Sequence, residues 1–244
     1  MARIIASLYG LVCYLVGFGG LAYAMAFIND VVVPGTMNAG TSPSLAVALL
    51  VDVALVVLFG VQHSLMARGS FKRALSRVLP DWAERSLYVL LSGAAFIVLY
   101  VFWQPLPGFV WHVEAPALRL LLFGVQALGW ALLVAATFML DHLELFGLSQ
   151  VRARLQGRAP DASSFRTPGL YRFVRHPIQL GVLIAFWATP DMTLGHLVFA
   201  ASMTLYIVLA LRWFEEPDLV AAFGDDYLAY RERVGMLLPR LRRA

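Results

Sequence analysis

The sequence predicts an all-α integral membrane protein of five to six transmembrane helices, with a polar Arg-His-Pro turn and a cytosolic C-terminal helical tail. Three observations carry that prediction. Of 244 residues, 60% are hydrophobic and 14% charged, whereas about a quarter of the residues in a soluble domain are charged. The apolar residues gather into runs, most of them near the ~20 residues a helix needs to cross a bilayer. The segments between these runs are alternately acidic and basic.

The apolar runs cover residues 4–28, 44–66, 86–103, 116–140, 177–189 and 194–213. The first follows Arg3, and Ala22-Tyr23-Ala24 has the small-residue pattern of a cleavage site. Its core is longer than a signal peptide's and further spans follow, so it is expected to stay as the first helix. The segments 29–43, 104–115 and 190–193 hold Asp30, Glu114 and Asp191 and no Lys or Arg. By contrast, 67–85 holds Arg68, Lys72, Arg73, Arg77 and Arg85, and 141–176 holds Arg152, Arg154, Arg158, Arg166, Arg172 and Arg175. The tail adds Arg231, Arg233, Arg240, Arg242 and Arg243. The excess of positive charge on cytosolic loops then places both termini and both basic loops in the cytosol, in a bacterial inner membrane. The pI near 9.5 reflects these topology signals, and no nucleic-acid partner is expected. Cys13, the single cysteine, lies inside an apolar run, so neither a disulfide framework nor a cysteine-based metal site is expected. No internal repeat is visible.

The organisation expected is one membrane domain over 1–244. Four spans fill 1–140, a cytosolic loop, the polar turn and a helical hairpin fill 141–213, and a cytosolic tail fills 214–244. Residues 177–189 are too few for a helix crossing ~30 Å. Either that helix includes the Arg-His-Pro turn, or it forms a buried hairpin with 194–213. Pro177 suits a first helical position, with amide groups exposed just after it. Those amides, with Arg175 and His176, form a candidate site for an anionic or polar ligand. Trp103, Trp111 and Trp187 are expected at the outer interface, and Trp82 and Trp213 at the inner one. The loop 151–168 carries Gly, Pro and Ser and is the candidate for a mobile lid. In the tail, Pro217 suits a helix start, Gly224 a stop, and Asp225 a second cap, with Tyr227, Tyr230 and Val234 on one face.

Several polar groups lie at membrane depth. Asp52 is either functional or a neutral carboxyl bonded to a neighbouring helix. Gln62-His63-Ser64 is either a functional cluster or an interface cluster that reaches for water. Asp141-His142-Leu143-Glu144 ends the fourth span, and a histidine there suits the helix dipole. His142 and Glu144 are two apart and do not share a helix face, so no metal site is expected. Glu215-Glu216 is either a salt bridge to Arg175 or Arg172, or a partner for a bound cation.

The pattern Gly169-x-Tyr171-x-x-x-Arg175-His176-Pro177-x-x-x-Gly181, followed by Glu215-Glu216 and Phe223-Gly224-x-x-Tyr227-x-x-Tyr230, resembles the isoprenylcysteine carboxyl methyltransferase superfamily. That superfamily includes phospholipid methyltransferases and NnrU-like proteins. Residues 62–68, 141–150 and 186–196 resemble its bacterial methanethiol S-methyltransferase branch and extend the likeness over nearly the whole chain. Two positions depart from the pattern: Pro217 stands where arginine is expected, and Gly235 where proline is expected.

The resemblance implies S-adenosylmethionine as methyl donor and methanethiol, a small volatile thiol, as acceptor, with dimethyl sulfide as product. It implies a cofactor site built from Tyr171, Arg175, His176, Pro177, Leu180 and Gly181 and closed by Glu215 and Glu216. His63, Asp141, His142 and Tyr171 are the candidates for catalysis. The competing readings are a methyltransferase for a lipid or prenylated thiol, and a non-catalytic membrane scaffold or transport protein.

Overall fold

The computed structural model describes residues 1–41, 44–159 and 164–240. Its helices are α1 (Ala2–Ile28), α2 (Leu45–Ala67), α3 (Gly69–Leu75), α4 (Asp81–Phe102), α5 (Pro116–Leu140), α6 (His142–Leu145), α7 (Leu148–Leu155), α8 (Pro177–Trp187), α9 (Leu194–Ala210), α10 (Glu216–Phe223) and α11 (Asp225–Arg233). Two short strands, β1 (Phe109–His112) and β2 (Asp191–Thr193), pair as a ribbon. Among the described residues, five helices are long and apolar enough to cross a membrane: α1, α2, α4, α5 and the continuous helix Leu194–Phe223. The protein is thus an all-α integral membrane protein.

The expected boundaries hold closely for α1, α2 and α5. α4 begins at Asp81, five residues before the apolar run. Pro80 occupies its N-cap, and Asp81 and Glu84 fill its first turn, where carboxylates suit the positive end of the helix dipole. Apolarity alone hides such a charged first turn. In the 151–168 segment, residues 151–155 belong to α7 and are therefore helical. Residues 160–163, part of the expected lid, lie outside the described residues.

The chain divides into two compact units. The first comprises Met1–Gly108, Leu143–Ala162 and Thr193–Ser202. In it α1 and α2 pack on α4, and α7 packs on α1 and α4. Gly147, at φ +83°, lies against the start of α4, where a Cβ would come within 2.7 Å of the Ser86 backbone nitrogen. Only glycine combines that left-handed backbone with that approach. Asp52 is fully buried, and its Oδ1 accepts the Gln104 amide at 2.8 Å. This is the helix-bonding alternative for that residue, since Gln104 follows the end of α4. Trp103 is buried against Phe27 and Phe199. It therefore packs inside this unit at the end of α4.

The second unit comprises Phe109–His142, Ser163–Met192 and Met203–Ala244. Its centre is the pairing of α5 with α8. A Cβ on Gly181 would lie 2.6 Å from the Gly129 carbonyl oxygen and 2.7 Å from the Leu133 nitrogen. The two helices therefore approach at backbone contact, as small residues permit in membranes. Gly181→Val would drive methyl groups into backbone that cannot rotate aside. Overpacking of this kind costs ~1–3 kcal/mol, and a matching fall in the thermal unfolding midpoint in detergent is the expected result.

α8 starts at Pro177, the last residue of the Arg-His-Pro turn, so the helix does not include Arg175 and His176. Its 11 residues rise only ~16 Å. Beyond its end, Trp111 donates its indole N–H to the Thr189 carbonyl at 3.0 Å. Both terminal guanidinium nitrogens of Arg119, in the first turn of α5, donate to Asp191 at 2.8 and 2.7 Å. His112 Nδ1 adds a contact of 2.6 Å to the same carboxylate. The Arg119 hydrogen bonds, helped by His112, hold the Asp191 carboxyl below the usual carboxylate range.

Pro217 stands in the first turn of α10, as a helix start suits it, but α10 follows α9 without a break. Residues Leu211–Glu215 form a π turn joining α9 to α10, in which the Glu216 amide bonds to the Leu211 carbonyl five residues back. Proline lacks an N–H, and its ring crowds the carbonyl four residues earlier in a regular helix; the wider π turn relieves both. Gly224, at φ +55°, stops α10 and also occupies the N-cap of α11, a position expected for Asp225. Tyr227, Tyr230 and Val234 are buried together against Phe165, Leu219, Val220 and Phe223.

Candidate active site

Within the second unit, the Arg-His-Pro turn is stitched to the tail by backbone. Tyr171 lies in a 3-10 turn, Gly169–Arg172, that opens with Gly169 at φ +51°. The chain then extends, and Val174 bridges Gly235 in parallel. The Arg175 amide donates to the Gly235 carbonyl at 2.9 Å and the His176 amide to that of Met236 at 3.1 Å. Tyr230 donates its hydroxyl to the Tyr171 carbonyl. Gly235 suits this seam, because a Cβ there would lie 1.9 Å from the Leu238 carbonyl oxygen.

The Arg175 guanidinium, the His176 imidazole and the Glu216 carboxylate, all buried, fill the interior of the seam. Arg175 Nε donates to Glu216 Oε1 at 2.7 Å, and one terminal nitrogen, Nη2, bridges the same oxygen. The remaining nitrogen donates to the carbonyls of Arg231 and Val234. His176 Nε2 lies 3.3 Å from Glu216 Oε1, and its Nδ1 lies 3.3 Å from Glu215 Oε1. Arg231 approaches the second Glu216 oxygen at 3.4 Å, and Gln179 donates to Glu215 at 3.1 Å. The Glu215 side chain is 44% exposed, whereas that of Glu216 is only 7% exposed. Glu216 is thus spent inside the protein, and Glu215 presents a carboxylate outward.

Burial pushes the His176 imidazole down, but the hydrogen bonds and charges of Glu215 and Glu216 outweigh it, and the net shift is upward. The protonated ring therefore stabilises the fold fully below the ordinary imidazole value of ~6.5. That contribution fades as pH rises through the elevated folded value. The unfolding midpoint in detergent is expected to fall across that window in the native chain and to fall less in His176→Asn. Burial also pushes the Tyr171 phenol up, reinforced by the charge of Glu215, so Tyr171 is a weak acid here. Its hydroxyl points to the Ala136 carbonyl at 3.5 Å.

Pro177 is buried as the first residue of α8, and no side chain caps that helix. Leu180 is half-buried, and Gly181 faces the α5 backbone. Asp141 caps α5, and His142, buried, opens α6. His142 Nδ1 meets Thr137 Oγ1 at 2.9 Å, and its ring stacks on Phe138 at 4.3 Å. Burial lowers its pKa, with the Asp141 charge opposing. In the first unit, His63 sits one turn before the end of α2. The Tyr88 hydroxyl lies 2.7 Å from its Nε2 and 3.2 Å from its Nδ1, over the ring, and Ser92 Oγ lies 3.0 Å from Nδ1.

Sequence reasoning missed Gln179, Arg231, Tyr88 and the carbonyls of 231–236. Gln179 had a signal, being the polar residue of an otherwise apolar helix. Tyr88 and Arg231 had none, since a lone tyrosine in a span and an arginine in a basic tail are ordinary.

The fold and this cluster define a polytopic membrane protein with a buried ion-paired site joining the Arg-His-Pro turn to the C-terminal tail. The chain is 47% identical over 98% of its length to the methanethiol S-methyltransferase of Mycobacterium tuberculosis, of which it covers 98%. It is 46% identical over 97% of its length to methanethiol S-methyltransferase 1 of Bradyrhizobium diazoefficiens, covering 83% of that protein. Xenopus laevis nurim is more distant, at 30% identity over 86% of this chain and 81% of its own. The chain belongs to the methanethiol S-methyltransferase family. No protein-family profile matches it, and no solved structure does.

Proposed function

We propose that this chain, acting as one membrane domain, transfers a methyl group from S-adenosylmethionine to methanethiol and releases dimethyl sulfide. Membership of the family supports the reaction, and the observation that carries the site is the outward Glu215 carboxylate beside the buried His176–Glu216–Arg175 cluster. When bound, S-adenosylmethionine supplies an electrophilic methyl on a sulfonium. The residues suit such a ligand. Glu215, oriented by Gln179 and His176, offers negative potential to its cationic groups. The uncapped start of α8 offers amide hydrogens to its carboxylate. Arg175 has its donors committed to Glu216 and two carbonyls, so its role is to hold Glu216 and not to grip the ligand.

Thiolate and sulfonium combine to give neutral thioethers, so charge disappears on the way to the transition state, and shelter from water favours that step. Of the catalytic candidates, we assign the thiol proton to His63. Tyr171 is held protonated by burial, His142 is a weakened base, and Asp141 caps a helix. The basic loops support a cytosolic position for the site and both termini, where the charged cofactor arrives, while methanethiol enters from the lipid.

Headspace gas chromatography of cells expressing the chain with methanethiol supplied is expected to detect dimethyl sulfide above the control. Calorimetry with purified protein is expected to show binding of S-adenosylmethionine. Dimethyl sulfide at control level, together with no binding, would overturn the assignment. An apolar groove of about 430 Å³ along α5, lined by Leu128, Ala131, Leu132, Ala135, Leu170 and Ile184, favours a second reading in which longer thiols are acceptors. Equal turnover of dodecanethiol would support that reading.

A further inference from the structure

A recess of about 530 Å³ opens inside the first unit, at the start of the α4 span. Leu79 and Trp82 form its apolar wall, and Ser76, Asp81, Arg154 and Arg158 its polar lining. The wall is anchored: Trp82 meets the Tyr9 ring edge-on at 5.7 Å, and the Tyr9 hydroxyl donates to the Ala83 carbonyl at 3.0 Å. Val151 and Ala153 bury one face of α7, which leaves Arg154 exposed on the other. After a turn at Gly157, φ +69°, the Arg158 amide donates back to the Ala153 carbonyl at 2.9 Å. That bond keeps Arg158 at the last turn of α7, where Arg154 lies. Glu84 pairs with Lys72 at 3.8 Å, and among the described residues no carboxylate forms an ion pair with Arg154 or Arg158.

We propose that this recess binds the headgroup of an anionic phospholipid. Arginine's planar fork matches phosphate oxygens. Two guanidiniums against the Asp81 carboxylate leave one net positive charge, which fits the single negative charge of a phosphodiester. A phosphomonoester carries about −1.5 to −2 at neutral pH, and Asp81 opposes the excess. Asp81 itself is accounted for by its place in the first turn of α4, where the helix dipole favours it. The neighbouring chain disfavours a headgroup that brings its own cation. Residues 68–85 hold five Lys or Arg against two acids, and residues 143–158 hold three against one. The depth agrees, since tryptophan settles at the membrane interface and basic recesses between spans hold anionic headgroups there. Topology alone requires positive charge on a loop, and not two arginines without carboxylate partners beside an indole in one recess.

The test follows the unfolding midpoint of the purified chain in detergent as phosphatidylglycerol, phosphatidylcholine or inorganic phosphate is added. A ligand that binds only the folded state raises the midpoint with its concentration. Phosphatidylglycerol is expected to raise it, and the other two to leave it unmoved at the same concentration. Arg154→Gln combined with Arg158→Gln should raise the phosphatidylglycerol concentration required by about tenfold or more. Ser76→Trp, which fills the recess and keeps both arginines, should do the same. Arg73→Gln combined with Arg77→Gln removes equal charge outside the recess and should shift the requirement by less than about twofold, because exposed charges are screened. All four arginines are exposed, so both pairs of substitutions should leave the fold intact. An equal shift in the two pairs would reduce the effect to diffuse surface charge and overturn the site. A native response in Ser76→Trp would overturn it too. Equal stabilisation by phosphatidylcholine or by inorganic phosphate would overturn the anionic lipid as its occupant.

Discussion

Glu216→Gln is expected to release the tail from the Arg-His-Pro turn and to abolish binding of both S-adenosylmethionine and its demethylated product. The carboxylate pairs with Arg175, His176 and Arg231, and the Arg175 and His176 side chains are 8% and 3% exposed. Removing one member of such a buried cluster leaves charge uncompensated and costs ~3–5 kcal/mol. The seam would lose its anchor, because the guanidinium held by Glu216 also ties the carbonyls of Arg231 and Val234. Limited proteolysis should cut the tail faster, and the unfolding midpoint should drop. Glu215→Gln should behave otherwise. Its side chain is half-exposed, so the fold should survive. The cationic cofactor should then bind at least tenfold more weakly while the neutral demethylated product binds almost normally. Equal losses of both ligands in Glu215→Gln would make that residue structural too. An undiminished unfolding midpoint in Glu216→Gln would mean that the ion pair does not hold the tail.

The contrast between these neighbouring glutamates was not legible in the sequence. The Glu215-Glu216 pair was recognisable, as was its opposition to Arg175, but both outcomes, salt bridge and outward-facing group, remained open for the pair as a whole. The π turn divides them. By inserting a residue before Pro217 it rotates Glu216 inward and leaves Glu215 facing out, and no residue pattern announces such a turn beyond the proline itself. The spans, by contrast, were legible because bilayer thickness fixes their length and lipid fixes their composition. The start of α4 was missed for the same reason, since its charged first turn lies outside the greasy run. Gly181 entered the reading as a cofactor residue, whereas its Cβ direction faces α5, a distinction that depends on helix rotation. The carbonyls that hold Arg175 belong to backbone and leave no trace in residue identity.

His63→Ala is expected to cost about 100-fold or more of dimethyl sulfide formation at pH 7, within the range of general-base effects. Methanethiol, with a pKa near ~10, is about one part in a thousand thiolate at neutral pH, a deficit of roughly 4 kcal/mol at 1.36 kcal/mol per unit. An acceptor must offset that deficit, and an imidazole is suited to it at this pH. His142 is the rival, and its environment argues against it: burial lowers its pKa, which makes it a poorer acceptor, and Thr137 and Phe138 hold it in place. His142→Gln is therefore expected to cost little activity and mainly to lower stability. The sign of the pH response separates the roles. Raising pH supplies thiolate without a base, so His63→Ala should climb towards native activity near pH 10 while the native protein gains little. A uniform loss at every pH would give His63 a packing role beside Phe59. A rise with pH in His142→Gln, with none in His63→Ala, would transfer the proton to the fourth span.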